Sequence, residues 1–261
     1  MPPRGKGSVR ARTNLPNSFQ WSSSGPIISP KDDSHKVAGV KDPSIVEVSG
    51  VYHVFVSTAK ASGYNLRHSF HYLDQTPIGS GYRAAPQVFC FQPHKLWYLT
   101  ICDSSNCYLF SSDDNGHLYR SQTSLANFIA LQDSYKIALF EAMNVYSTGD
   151  GKLLLLVEAI ASDGARYFRS WTSSSLSGTW TGLAATEANP FARSNNVKFS
   201  STAWTKSISH GEMVRKQVDQ TMTINPCGLR YLYQGLDPSA SGEYNALPWK
   251  LGLLTHTNSA C

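Results

Sequence analysis

The chain has 261 residues, of which 41% are hydrophobic and 11% aromatic, enough apolar material for a sizeable core in one or two domains and too much for intrinsic disorder. Only 16% are charged, which excludes a long coiled coil, and the longest aliphatic run, Leu153 to Val157, falls far short of the ~18–20 apolar residues a membrane-spanning helix needs. The formal charge of +5 is concentrated in Arg4, Lys6, Arg10 and Arg12, ahead of the first acid at Asp32, so the body is close to neutral and neither a nucleic acid nor a membrane is expected as a partner.

Residues 1–20 form a basic arm expected to be disordered, without the apolar stretch of a secretory signal. From Ile45 onward, short alternating runs are separated by turn chemistry. Ser44 to Val48 and Val51 to Val56 flank Ser49-Gly50. Gln87 to Phe91 and Leu96 to Leu99 flank Gln92 to Lys95, and Cys107 to Phe110 and His117 to Arg120 flank Asp113 to Gly116. Ala142 to Tyr146 and Lys152 to Val157 flank Gly149-Asp150-Gly151, and Tyr231 to Gln234 and Leu251 to Thr255 supply later strands. No helical period of ten residues or more occurs, so the fold class is all-β.

Each hairpin series begins with an opener: Lys41-Asp42-Pro43-Ser44, Ala84-Ala85-Pro86-Gln87, Leu139-Phe140-Glu141-Ala142 and Ser209-His210-Gly211-Glu212. Their spacing is of the order of the ~40–45 residues of a four-stranded propeller blade. In a propeller the innermost strand of each blade faces the central channel, so two carboxylates and a histidine would converge at one mouth. Asp42 before Pro43 also reads as a plain turn residue. Glu141 lies among bulky apolar residues, a setting that raises a carboxylic acid's pKa, but it reads equally as a salt-bridged strand glutamate. Together they offer the acid and base of glycoside hydrolysis.

Several other chemistries lack their signatures. There is no Gly-x-Ser-x-Gly elbow, no His-Glu-x-x-His, no phosphate loop and no dinucleotide fingerprint. Asp113 to Gly116 resembles part of a calcium loop but lacks the downstream glutamate, so a tight turn is expected. Cys90, Cys102, Cys107, Cys227 and Cys261 are odd in number, which leaves at least one unpaired. Cys102 and Cys107 read as strand-end cysteines around a turn at Asp103 to Asn106, not as a metal knuckle.

The stretches Trp21-Ser-Ser-Ser-Gly-Pro26, Val40-Lys-Asp-Pro-Ser44, Gly81-Tyr-Arg-Ala-Ala-Pro-Gln87, Phe140-Glu-Ala142, Val157-Glu-Ala159 and Arg166-Tyr-Phe-Arg169 resemble glycoside hydrolase family 62. So do Ser207-Ile-Ser-His-Gly-Glu212, Asp219-Gln-Thr-Met-Thr223, and Tyr244-Asn245 through Leu247-Pro248. The resemblance runs from about Trp21 to the C-terminus and implies a five-bladed β-propeller over 21–261. It implies an α-L-arabinofuranosidase that removes arabinofuranose side chains from arabinoxylan or arabinoxylo-oligosaccharides with inversion, outside the cell and as a monomer. By motif, Asp42 would be the general base and Glu141 the general acid. Lys41, Trp97, Glu158, Arg166, Gln220, Tyr244 and Asn245 would bind substrate, and His210 would be an axial histidine associated with calcium, with no organic cofactor.

The chain also departs from the family. A third carboxylate, an aspartate expected at the start of the blade between those opened by Pro86 and Glu141, is absent. About one blade's worth of chain is missing where Leu96-Trp-Tyr-Leu99, read as the end of one blade, meets Ile101-Cys-Asp-Ser104, read as the first strand of the next, through Thr100. Shorter gaps follow Leu66 and Asn127. Asp103 is not expected to replace the missing group. Three readings therefore stand: an impaired hydrolase, a catalytically silent xylan-binding propeller, and a propeller used as a protein-interaction scaffold without xylan affinity.

Overall fold

A computed structural model of the chain describes residues 15–261 apart from 33, 61–62, 69–70, 73–83, 103–106, 113–117, 122–129, 136 and 260. The expected disordered arm therefore lies, up to residue 14, outside the described residues, as do the turns at 103–106 and 113–117, Asp103 and the expected gap after Asn127. The described residues contain no α-helix and make seventeen strands.

Strand β1 is Trp21–Ser23. A first sheet follows from β2 (Gly39–Val48), β3 (Val51–Lys60), β4 (Gly63–His68) and β5 (His71–Tyr72), and a second from β6 (Ala84–Phe91), β7 (Leu96–Cys102), β8 (Cys107–Ser112) and β9 (Leu118–Ser121). The third comprises β10 (Glu141–Ser147), β11 (Leu153–Ile160), β12 (Arg166–Ser173) and β13 (Thr181–Ala184). Each of these is an antiparallel meander. The last sheet adds β14 (Val197–Phe199), β15 (Ser209–Met213), β16 (Arg230–Gly235) and β17 (Lys250–His256) in the order β14-β1-β17-β16-β15, so the first strand of the chain completes the last sheet. That closure is anchored by Trp21, whose buried indole Nε1–H donates to the Phe191 carbonyl at 2.6 Å and packs edge-on against the Phe191 ring.

The sheets form the propeller the openers predict. β2, β6, β10 and β15 are the inner strands: β15 packs against β2, β2 against β6, and β10 against β15. Among the described residues no packing of that extent joins β6 to β10. The core follows the same asymmetry. Phe19, Trp21, Tyr146, Phe168, Phe191, Tyr231 and Tyr233 fill the space between the third and fourth sheets, and Val40, Ile45, Val56, Leu232 and Leu251 fill that between the fourth and first.

The five-bladed frame with one incomplete blade takes a specific form, which corrects the reading of the junction. Leu96 to Cys102 is not a boundary between two blades. It is one uninterrupted strand, β7, paired along its length with β6 from Phe91↔Leu96 to Ala84↔Cys102 and with β8 from Tyr98↔Ser111 to Cys102↔Cys107. Extended chain can hydrogen-bond on both edges, so a continuous ladder through Thr100 satisfies backbone groups that a break would leave open. The second sheet is thus one continuous four-stranded meander, and among the described residues the ring is open between β6 and β10.

The predicted hairpins are present, and β2 begins at Gly39, five residues ahead of Ser44, because the opener itself continues the strand through a bulge. Strands β1, β4, β5, β12, β13 and β14 were not marked in the sequence. Cys227 and Cys261 form a disulfide, Cys102 is also disulfide-bonded, and Cys90 is the free thiol among the described cysteines.

Candidate active site

Every inner strand is bulged at its opener. The register shifts between Lys41 and Ser44, Ala84 and Gln87, Glu141 and Asn144, and Ser209 and Gly211. At three of these the bulge holds a non-glycine residue at positive φ: Asp42 at 49°, Ala85 at 53° and Ala142 at 52°. A bulge re-aims side chains and ends regular pairing, so it turns these residues out of the sheet at the axial mouth. In β15 the bulge is followed by Gly211, where a Cβ would stand 2.2 Å from the Leu232 carbonyl oxygen, so only glycine fits.

The geometry brings Asp42, Glu141, Glu158, Arg166 and His210 together. His210 Nδ1 stands 3.3 Å from Asp42 Oδ1. The His210 N–H donates to Glu158 Oε2 at 2.7 Å, and Arg166 Nη1 reaches Glu158 Oε1 at 2.7 Å while also pairing with the Glu141 carboxylate. Ser209 Oγ donates to Glu158 Oε1 at 3.0 Å. Glu158 is thus a fully buried anchor between the third and fourth sheets. Its burial pushes the carboxyl pKa up against the pull of the Arg166 charge. Burial works against the charge on Arg166, but Glu158, Tyr244 and Glu141 together outweigh it and hold the guanidinium firmly protonated.

A second wall is built by Lys41 and the short 3₁₀ turn Tyr244–Ala246. Lys41 is buried, and its Nζ donates to Tyr244 Oη at 3.0 Å and lies 4.5 Å from the centre of the Tyr244 ring. Tyr244 is exposed, so one face of an aromatic ring at this end of the ring of sheets is open to a ligand. Asn245 follows it, half-buried, on the same turn.

Glu141 stands differently from the sequence reading. Its side chain is 44% exposed and Phe140 is 39% exposed, so the apolar neighbours do not bury the carboxyl. It is salt-bridged to Arg166, and Leu131, Leu139, Phe140, Met143 and Val157 line a cavity of ≈ 410 Å³ beside it. Among the described residues no sheet packs between β6 and β10, on the side that the acid faces.

Two expected substrate-binding residues are not brought to this site. Trp97 pairs with Cys90, five rungs from the Ala84↔Cys102 pair at the mouth, about 17 Å along the strand at ~3.4 Å per residue. There it lines a small apolar cavity with Val46, Phe55 and Val88. Gln220 is at the same far end, where its Oε1 accepts the Gln92 N–H of the β6–β7 turn at 3.1 Å and its neighbour Asp219 bridges to Cys90. The two ends of a strand lie at opposite ends of the sheet, so Trp97 on β7 and Gln220 beside the β6–β7 turn both stand away from the mouth.

Among the described residues, the side chains at the axis do not by themselves supply the ligand set of a calcium ion. Calcium takes six to eight oxygen ligands, whereas His210 offers nitrogen and already faces Asp42. Among the described residues no three His, Cys, Asp or Glu side chains come together as a metal site.

Sequence reading passed over the supports of this site. Gln234 and Ser209 hydrogen-bond behind Asp42. Deeper, buried Glu212 accepts the Ile45 N–H at 2.6 Å and lies 3.3 Å from Arg215, whose Nη2 donates to the carbonyls of Ile45 and Val88 at 3.1 and 2.6 Å, tying three sheets together. The only local signal was polarity at a strand position that the alternation pattern assigns to the interior.

Residues 98–255 match the family profile of Glycosyl hydrolase family 62. The chain is 41% identical over 296 residues to α-L-arabinofuranosidase C of Cellvibrio japonicus, covering 90% of the chain and 47% of that protein, so it spans about half the length of this curated relative. The matched span is longer than the chain itself, so the relative carries internal residues that the chain lacks. Among solved structures, the catalytic domain of a GH62 α-L-arabinofuranosidase of Coprinopsis cinerea is 53% identical, with a TM-score of 0.82, over 95% of this chain and 100% of that one. An α-L-arabinofuranosidase of Podospora anserina in complex with cellotriose is 48% identical, with a TM-score of 0.83, over 95% and 99%.

Proposed function

The chain belongs to glycosyl hydrolase family 62, and from that premise we propose that it hydrolyses α-L-arabinofuranosyl side chains of arabinoxylan with inversion, Asp42 acting as general base and Glu141 as general acid. The observation that carries this reading is the set of hydrogen bonds and ion pairs that holds two carboxylates from different inner strands at one mouth, Asp42 against His210 and Glu141 against Arg166. An inverting hydrolase needs a base that activates water on one face of the sugar and an acid that protonates the leaving oxygen on the other. Asp42 would take the proton of the attacking water while Glu141 gives its own to the departing xylan oxygen. Lys41, Tyr244 and Asn245 would frame the arabinose, with Arg166 and Glu158 fixing the polar side of the pocket. The polymeric substrate and the Cys227–Cys261 disulfide support an extracellular site of action, as a monomer.

A second reading, binding without turnover, is favoured by the exposure of Glu141 at the opening between β6 and β10. Arabinose release from wheat arabinoxylan, followed with the unaltered chain, Asp42→Ala and Glu141→Ala, separates the two. Release that both substitutions abolish supports the hydrolase, with the first-formed anomer read by NMR for inversion. Retention of arabinoxylan in affinity electrophoresis with no arabinose released supports the silent binder.

A further inference from the structure

The bulges at the openers are supported by a device that repeats around the ring. In the first sheet Ser57 lies opposite Lys41, in the third Glu158 lies opposite Glu141, and in the last Gln234 lies opposite Ser209. Each of these second-strand side chains accepts the backbone N–H of the bulge residue on the next inner strand. Ser57 Oγ accepts from Ala85 at 3.1 Å, Glu158 Oε2 from His210 at 2.7 Å, and Gln234 Oε1 from Asp42 at 2.7 Å. Where the ring is open the device stops: Cys102 occupies the corresponding position opposite Ala84, and among the described residues no side chain accepts from Ala142.

Of the three, only Gln234 serves a residue that carries a reacting group, and it must both accept and donate. Its Oε1 receives the Asp42 N–H and its Nε2 donates to Ser209 Oγ at 3.1 Å, which leaves the Ser209 proton free to go to Glu158. All three side chains are buried, with Gln234 1% and Ser209 and Glu158 0% exposed, so water cannot substitute for any of these bonds. A non-glycine residue at positive φ persists only where its surroundings over-determine it. We propose that Gln234 is a positioning residue: its side-chain amide holds the Asp42 bulge in the conformation that aims the base carboxylate into the pocket. Through Ser209 it also links the base to the Glu158–Arg166–Glu141 group. The inference rests on the assignment of Asp42 as base.

The test compares Gln234→Met, which keeps the length and removes both hydrogen bonds, with Gln234→Glu, which keeps the acceptor but forces Ser209 to turn its proton away from Glu158. Tyr231→Phe, on the same strand and equally buried but losing a hydroxyl that has no hydrogen-bond partner among the described residues, serves as the neutral reference, and urea midpoints of the Gln234 variants report any loss of stability. With a nitrophenyl arabinofuranoside, Gln234→Met is expected to lower kcat about 100-fold, the scale on which misplacement by an ångström acts. KM should stay within about twofold and the acidic limb of the pH–rate profile should move. Gln234→Glu is expected to retain Asp42 amide protection but to lose rate. A Gln234→Met variant whose kcat and pH limb match those of Tyr231→Phe would overturn the proposal. Hydrogen exchange of the Asp42 amide is read in parallel and does not need turnover: faster exchange in Gln234→Met than in the unaltered chain is expected, and unchanged exchange would refute the positioning role. If the unaltered chain releases no arabinose, the hydrolase reading fails by itself, while the exchange experiment still decides whether Gln234 holds the bulge.

Discussion

Replacing Glu158 by alanine removes the one side chain that three groups of the site share. His210 would lose the acceptor of its backbone N–H, at about 1–3 kcal/mol for a buried unsatisfied donor. Arg166 would lose its buried partner. Breaking a buried ion pair costs ~3–5 kcal/mol when the remaining charge is stranded, and less here because Arg166 keeps Glu141 and its side chain is 18% exposed. Ser209 Oγ keeps Gln234, so its loss is small. A net destabilisation of about 3–5 kcal/mol is expected. At an m value near ~3 kcal/mol/M, that lowers the urea midpoint by about 1–1.7 M. Activity should fall at least as steeply, since His210 faces Asp42 and Arg166 holds Glu141. A midpoint within ~0.3 M of the unaltered chain would refute the view of Glu158 as the anchor.

The pH dependence adds an independent sign. Burial raises the Glu158 pKa from 4.5, so the folded state holds this proton more tightly than the unfolded chain. The stabilisation from the protonated group is complete below 4.5 and is lost as pH rises through the folded value. Glu158→Gln has no such proton. The stability gap between the unaltered chain and Glu158→Gln should therefore narrow from pH 4 to pH 7, and urea titrations in which it widened would contradict the assignment.

Other expectations follow from where the structure puts particular side chains. Trp97→Ala and Gln220→Ala should leave the KM for arabinoxylo-oligosaccharides within about twofold, because both residues lie at the far end of the second sheet; a tenfold rise in KM for either would return it to the pocket. Cys261→Ser opens a loop with a sequence separation of 34 and should cost about 3–4 kcal/mol in the chain-entropy estimate, seen as a lower melting temperature. Alkylation under native conditions should modify Cys90 and no other described cysteine.

The strands flanking Ser49-Gly50 and Gly149-Asp150-Gly151 were legible because turn chemistry and alternation are local properties. Both hairpins form with Ser49, Gly50, Gly149 and Gly151 at positive φ. The openers were legible as recurring motifs, and the motifs sufficed to mark the family. The bulges were not legible, because the positive φ at Asp42 and at Ala85 is held by a partner on another sheet, far away in sequence, while Ala142 takes the same conformation without such a partner among the described residues. Gln234 was invisible for the same reason: it lies 192 residues from the amide it caps.

Trp97 and Gln220 show the opposite error. A motif fixes which residues are present, but which end of a strand faces the mouth depends on pairing register, and register is a property of two strands. The junction at Thr100 makes the point most plainly. The resemblance read in the sequence implied that about a blade's length of chain is missing there, and the longer span matched in the Cellvibrio relative shows that the chain lacks internal residues without placing them at Thr100. Only the tertiary structure decided how the loss is absorbed: β7 runs straight through the junction, since extended backbone pairs with whatever edge is offered. Among the described residues the opening falls between β6 and β10, where no side chain accepts the Ala142 N–H and no neighbouring sheet covers Glu141.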